Sequence, residues 1–266
     1  VPRTTLPETV RHRIDEQLAE VDAELAARYP GEPGTRQPVH TVYVPADQVR
    51  GDVVRLWGEQ ALAALDEHAP TAGAFAAALG RPDDALAREV YARVREKLAR
   101  EPVEDLRIDF EDGYGRRPDE EEDADAVRAA RLVADGLGTA YAGIRMKCME
   151  APVRRRGIRT LDVFLSELLA AAGELPAGLV LTLPKVTYPQ QVAAMVRLCA
   201  GYEEAAGLVV GRLRFEIQIE TTQAVLGADG RATVARLIDA AEGRCTGLHY
   251  GTYDYSAACG VSPAHQ

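Results

Sequence analysis

The chain has 266 residues, 47% of them hydrophobic, and its 31 basic and 41 acidic side chains leave a formal net charge of −10. That length suits one large domain of the α/β barrel kind, which commonly runs to about 250 residues. The negative charge excludes a broad attraction to nucleic-acid phosphates, and no apolar run approaches the ~20 residues needed to cross a bilayer, so neither nucleic acid nor membrane is expected as a partner.

The N-terminus, "VPRTTLPETVRHRIDEQL", lacks the apolar stretch of a signal peptide. Cys148, Cys199, Cys245 and Cys259 are widely spaced and form no CxxC pair, so free thiols in a reducing cytoplasm are expected. "ETVRHRIDEQLAEVDAELAARYP" predicts an amphipathic helix ending before Pro30, with the loop "PGEPGTRQP" after it. The division expected is residues 1–38 as N-terminal helix and loop and 39–266 as a barrel domain.

A first strand is predicted in "HTVYVPAD". About fifty residues of helical pattern follow, from roughly 53 to 102, which is longer than a normal crossover and reads as a helical insertion. Five further strand-like runs begin near Leu106, Ala142, Gly178, Leu213 and Thr246, about one βα unit every 33 to 36 residues. The helices between them are marked by an acidic opening at "DEEEDADAV" and by closing glycines, Gly207 and Gly243.

Strands alternating with helices imply a parallel sheet, either doubly wound or closed as a (β/α)8 TIM barrel. Arg107, Asp109 and Glu111 would share one face of the second strand, and Glu216, Gln218 and Glu220 one face of the fifth. Polar faces on both suggest a barrel interior, because an open sheet covered by helices is apolar on both sides. Six strands do not close an eight-stranded barrel, so two more βα units, on the order of 60 to 70 residues, would be required.

In parallel α/β folds the chemistry lies at the C-terminal strand ends. Read in order, those ends carry Glu111 and Asp112, Arg145, Lys185, Glu220, and the turn Gly251-Thr252-Tyr253-Asp254. The segments "VYVPAD", "DFEDGYG", "GIRMK", "LPKVTYPQQV", "IQIETTQAVLG" and "LHYGTYDYSAACGV" occur in that order over residues 40 to 262. In this the chain resembles the HpcH/HpaI aldolase and citrate lyase β-subunit-like family of the phosphoenolpyruvate/pyruvate-type barrels, as a divergent branch.

The resemblance implies a Mg2+-dependent carbon–carbon lyase that cleaves a hydroxy acid or its CoA thioester through a metal-stabilised enolate, with Mn2+ as a substitute ion. It places the metal on Glu220 and Asp254, a set that suits Mg2+, which takes one or two carboxylates with water and substrate oxygens. Arg145 would face the developing enolate oxygen. Glu111 and Asp112 would position the arginine and metal-bound waters, the Gly251 and Thr252 N–H groups would receive a substrate carboxylate, and Lys185 would contact substrate. A homo-oligomer is implied for the full-length form.

Other readings of the same residues stay open. Glu220 and Asp254 also sit where helix N-caps fall, and Thr221, Thr222 and Gln223 read as a helix start. Asp109 and Arg107 fit pairing with each other or with a neighbouring strand. His249 reads as packed, and "RRRGIR", Arg154 to Arg159, as a solvated loop. Lys147 stands where many relatives have Asn, and Gly113 and Tyr114 replace a small residue and Val. Phosphoenolpyruvate-type phosphoryl or phosphonate chemistry, or a non-catalytic barrel remnant serving as an interaction module, are the alternatives.

Overall fold

The computed structural model describes residues 3–29, 31 and 34–266. The chain divides into two compact units, Val1–Gln37 and Pro38–Gln266. The first contains helix α1, Glu8–Arg28, along which Ile14, Leu18, Val21 and Leu25 form an exposed apolar stripe at helical spacing. Pro30, the expected stop signal, lies outside the described residues. Among the described residues no helix is long and apolar enough to cross a membrane.

The second unit is built on six parallel strands: β1 Val42–Pro45, β2 Asp105–Asp109, β3 Tyr141–Arg145, β4 Leu179–Leu183, β5 Phe215–Ile219 and β6 Cys245–Tyr250. Their order in the sheet is their order in the chain. A doubly wound sheet reverses strand order at a switch point, which this one never does. Right-handed crossovers in unbroken order place the helices on one face, which is the winding of a barrel.

The sheet is also strongly curved. Parallel strands lie about 4.8 Å apart, so flat edges would be roughly 24 Å from each other. Yet the Tyr43 hydroxyl on β1 is 3.1 Å from His249 Nδ1 on β6, and Arg107 on β2 meets Glu216 on β5 at 3.1 Å. The expected six-stranded, barrel-type α/β architecture is therefore the one observed.

Strand alternation sorts the core. Leu106, Ile108, Phe110, Ile144, Leu181, Leu183, Phe215 and Ile217 pack under the helices as one apolar cluster. Covering them are α5 (Asp119–Asp135), α6 (Arg154–Ala172), α7 (Pro189–Ala206) and α9 (Val234–Ala240). Helix α6 offers Leu161, Phe164, Leu165 and Leu168 and stops at Gly173, whose left-handed φ of 77° suits glycine. Helix α7 ends at Gly207 in the same way, whereas α9 stops at Ala240, short of the expected Gly243.

Between β1 and β2 run α2 (Val53–His68), α3 (Ala72–Ala78) and α4 (Ala85–Arg100). Thr71 and Asp84 cap α3 and α4 by accepting the N–H groups of Ala74 and Ala87. Gly58 lets α2 approach the α4 end, since a Cβ there would lie 2.8 Å from Pro102 Cγ.

The arginine run after β3 corrects the loop expectation: it is the first turn and more of α6. Arg156 and Arg159 both pair with Asp123 on α5, so charge pairing between two helices accounts for their polarity. Lys147 is likewise structural, donating to the Phe110 carbonyl at 2.7 Å and to buried Glu122 at 2.8 Å.

Candidate active site

The strand-end residues converge because all six strands point the same way. β2 delivers Asp109 and then Glu111 and Asp112, β3 ends on Arg145, and Lys185 follows β4. Glu220 follows β5, and β6 leads through Gly251 into α10, Thr252–Ala258, with Asp254 in its first turn. Depth varies across the cluster: Glu220 is buried, Glu111 and Arg145 nearly so, and Asp112 and Asp254 are about half exposed.

Arg145 is clamped. Its Nε and Nη2 donate to the two Asp109 oxygens at 2.7 and 2.8 Å, the bidentate fork that guanidinium and carboxylate geometry favours. The register makes this pair, because Asp109 and Arg145 are ladder partners. Nη1 is left facing Glu111 at 3.7 Å and Asp112 at 3.9 Å, and the guanidinium carbon lies 4.6 Å from the centre of the Tyr43 ring. Burial works against the arginine's charge, but Asp109 overrides it and holds the guanidinium protonated. Of the two pairings expected for Asp109, the one with a neighbouring strand is observed, and what the sequence did not show is that this pairing positions Arg145. Arg107 does not take Asp109: that side chain pairs instead with Asp105 and Glu216.

Lys185 gathers the acids. Its Nζ lies 2.9 and 2.8 Å from the Asp112 oxygens, 3.2 Å from Glu111 Oε1 and 3.2 Å from Asp254 Oδ1. Its backbone N–H donates to Glu220 Oε1 at 2.7 Å. Glu111 is pushed up to about 8 by burial and by the neighbouring Asp112, against the pull of Lys185. A carboxyl there can give or take a proton in the neutral range. Glu220 is also raised, mainly by burial. Asp112 goes the other way: burial would raise it, but the Lys185 hydrogen bond prevails and lowers it.

Neither Glu220 nor Asp254 is a helix cap. Thr221 caps the short helix α8, Thr222–Val225, and Gly251 precedes α10. The donor role expected of Gly251 is corrected, since its N–H is used by the Ile219 carbonyl at 3.0 Å. Its need for glycine is steric, because a Cβ would fall 2.4 Å from Glu220 Cβ and 2.5 Å from Glu220 Oε2. Thr252 opens α10 beside it.

Beneath this cluster lies a polar layer that fills the curved sheet's inner face. Glu216 accepts from Thr182 at 2.6 Å and from Arg107 at 3.1 Å, and its other oxygen is 2.9 Å from His249 Nε2. His249 meets the Tyr43 hydroxyl, which Gln218 Nε2 approaches at 3.5 Å, and Gln218 Oε1 is 3.4 Å from Arg145 Nη1. Tyr43 is pushed up to about 12 by burial and by Glu216. His249 is thus a bonded interior residue, and Tyr43 and Gln218 connect that layer to Arg145.

The donor chemistry fits a hard cation. Carboxylate oxygens from the β2 and β6 ends surround an ammonium, and Glu111 Oε2 is buried without a hydrogen-bond partner. Among the described residues, no three His, Cys, Asp or Glu side chains form a ready cage, so at most two protein carboxylates would serve at once.

The winding and the acid-rich strand-end cluster define a barrel-type parallel α/β protein with a charged site at the C-terminal face. The chain belongs to the family described as domain of unknown function DUF6986, whose profile matches residues 18–266. Among solved structures, the malate synthase of Haloferax volcanii in a lead(II) complex is similar at a TM-score of 0.49 and 19% identity. That match covers 60% of this chain and 45% of the other, so the chain spans under half of that protein's length. No curated protein matches the sequence.

Proposed function

We propose that this protein is a divalent-cation-dependent carbon–carbon lyase acting on a small hydroxy acid or its CoA thioester, related to the HpcH/HpaI and citrate lyase-like enzymes. The observation that carries the reading is the Asp109-clamped Arg145, with one guanidinium nitrogen turned toward the Glu111 and Asp112 carboxyls at the strand ends. The motifs that carry the resemblance supply those residues.

Glu220 and Asp254 would hold the cation, Mg2+ or Mn2+. When bound, such an ion supplies a Lewis acid for the carboxylate and keto oxygens of an oxo acid. Arg145 sets a fixed positive charge where an enolate oxygen develops, and its clamp means that no reorganisation is needed at that moment. Asp109 and the Tyr43 ring keep the guanidinium from swinging. Glu111, the carboxyl poised near neutrality, is placed to hold or pass a proton at Oε2.

The test is calorimetric titration of Mg2+ into chelator-stripped protein with and without pyruvate or oxaloacetate, alongside Glu220→Ala. Cation binding that strengthens with the oxo acid and disappears in the variant supports the reading. Binding that survives in Glu220→Ala sinks the assigned ligands. Release of pyruvate, glyoxylate or acetyl-CoA from candidate substrates identifies the cleavage, and release of phosphate in its place would mark phosphoryl chemistry.

A further inference from the structure

The strand-end acid cluster already contains a cation of the protein's own making. Lys185 Nζ contacts Asp112, Glu111 and Asp254, acids from the β2 and β6 ends that share no local sequence. Two independent features show that the placement is built in. The Lys185 backbone has φ 49°, a left-handed conformation that side chains other than glycine, Asn and Asp seldom adopt. That turn aims the N–H at Glu220 Oε1 while the side chain reaches the three acids. Glu111, with a side chain only 9% exposed, meets the ammonium through Oε1 and leaves Oε2 without a hydrogen-bond partner, with Arg145 Nη1 3.7 Å from it, so the cluster keeps one buried oxygen that the ammonium does not bond.

We infer that Lys185 is a resident counter-ion of the acid cluster, and that a divalent cation binds on Glu220 and Asp254 only by displacing its ammonium from Asp254. The inference rests on the metal reading given above. Both cations compete for the same Asp254 carboxylate, and two positive charges sharing one oxygen repel each other. Mg2+ takes its oxygens at about 2.1 Å, so an ion on Asp254 Oδ1 would sit within a few ångströms of the ammonium that lies 3.2 Å from the same oxygen. The displaced ammonium has a place to go, since its two shortest contacts are to Asp112, which it keeps.

The consequence is a site whose affinity for the free ion is held down by Lys185. The cluster's acids are never left without a counter-ion, and the ion exchanges readily. The lysine expected to contact substrate is instead the regulator of cation affinity.

The experiment compares Mn2+ binding to chelator-stripped wild type, Lys185→Met and Lys185→Gly, by calorimetry and by electron paramagnetic resonance of free Mn2+. Glycine suits the left-handed backbone, so Lys185→Gly gives a folded chain even where Met disturbs the turn. Circular dichroism melts verify folding. Removing a like charge a few ångströms away is expected to tighten Mn2+ binding about tenfold or more in both variants, with stoichiometry unchanged. Unchanged or weaker binding in the variants, with Glu220-dependent binding in wild type, overturns the role of Lys185 and leaves the metal reading intact. Absence of binding in all three chains overturns both.

Discussion

Asp109 uses each carboxylate oxygen twice. Oδ1 accepts from Arg145 Nε and from the Glu111 N–H at 3.0 Å, and Oδ2 accepts from Arg145 Nη2 and from the Gly113 N–H at 3.1 Å. One side chain thus fixes the arginine and folds the loop that carries Glu111 and Asp112. Removing it strands a nearly buried guanidinium, and breaking such a pair typically costs about 3–5 kcal/mol. Asp109→Ala is expected to lower unfolding free energy by that order in urea titrations, and Arg145→Lys by less, because charge survives while the fork is lost. A loss below about 1 kcal/mol for Asp109→Ala would show the clamp to be loose, since that is what an exposed pair contributes. Gly251 makes a second prediction at this scale. A Cβ overlapping Glu220 Oε2 must turn that carboxylate aside, so Gly251→Ala should abolish Mn2+ binding in calorimetry while the circular dichroism spectrum is kept. The sequence placed Glu111, Asp112, Arg145 and Glu220 at strand ends through alternation. It could not choose Asp109 over Glu111 as the arginine's partner, because that depends on the register between β2 and β3.

Elements were legible where their periodicity was strong. The two-residue alternation of "LRIDF" and "FEIQI" located β2 and β5, and Gly207 marked the end of α7. The start of α6 was obscured because "RRRGIR" has no apolar face of its own and is held by Asp123 from another helix. The N-terminus of α7 depends on one side chain. Gln191 Oε1 accepts the Thr187 N–H at 2.7 Å, the Thr187 hydroxyl at 3.0 Å and the Tyr188 N–H at 3.2 Å. This is the reciprocal half of a capping box, tying the β4–α7 loop that contains Lys185 to its helix. Gln191→Ala should therefore cost about 1 kcal/mol and lower the melting temperature by a few degrees. The change would be read by calorimetry, and an unshifted melt would show that the loop is held by other contacts.

For the whole molecule, the polar interior makes stability depend on acid. A hydrophobic inner face would be indifferent to pH, whereas here Glu216 lies among Arg107, Thr182 and His249 on the inner face. Buried Glu203 is forked by Arg244 at 2.8 Å twice and accepts the N–H groups of Gly211 and Leu213. Burial raises both carboxyls, but their partners prevail and bring each from 4.5 down to about 2: the His249 bond and the Arg107 charge for Glu216, the Arg244 and backbone bonds for Glu203. With the folded value below the unfolded one, the unfolded chain binds more protons between those limits. The stabilisation is fully present above about pH 5 and is lost as pH falls through 4.5 towards 2. Melting temperature should therefore fall steeply across that window. Glu203→Gln should start lower at pH 7, because it leaves Arg244 unpaired, yet lose less on acidification, so that its curve and the wild-type curve converge near pH 2. Parallel curves for the two proteins would mean that Glu203 keeps an ordinary carboxyl, and that the fork to Arg244 does not persist in solution.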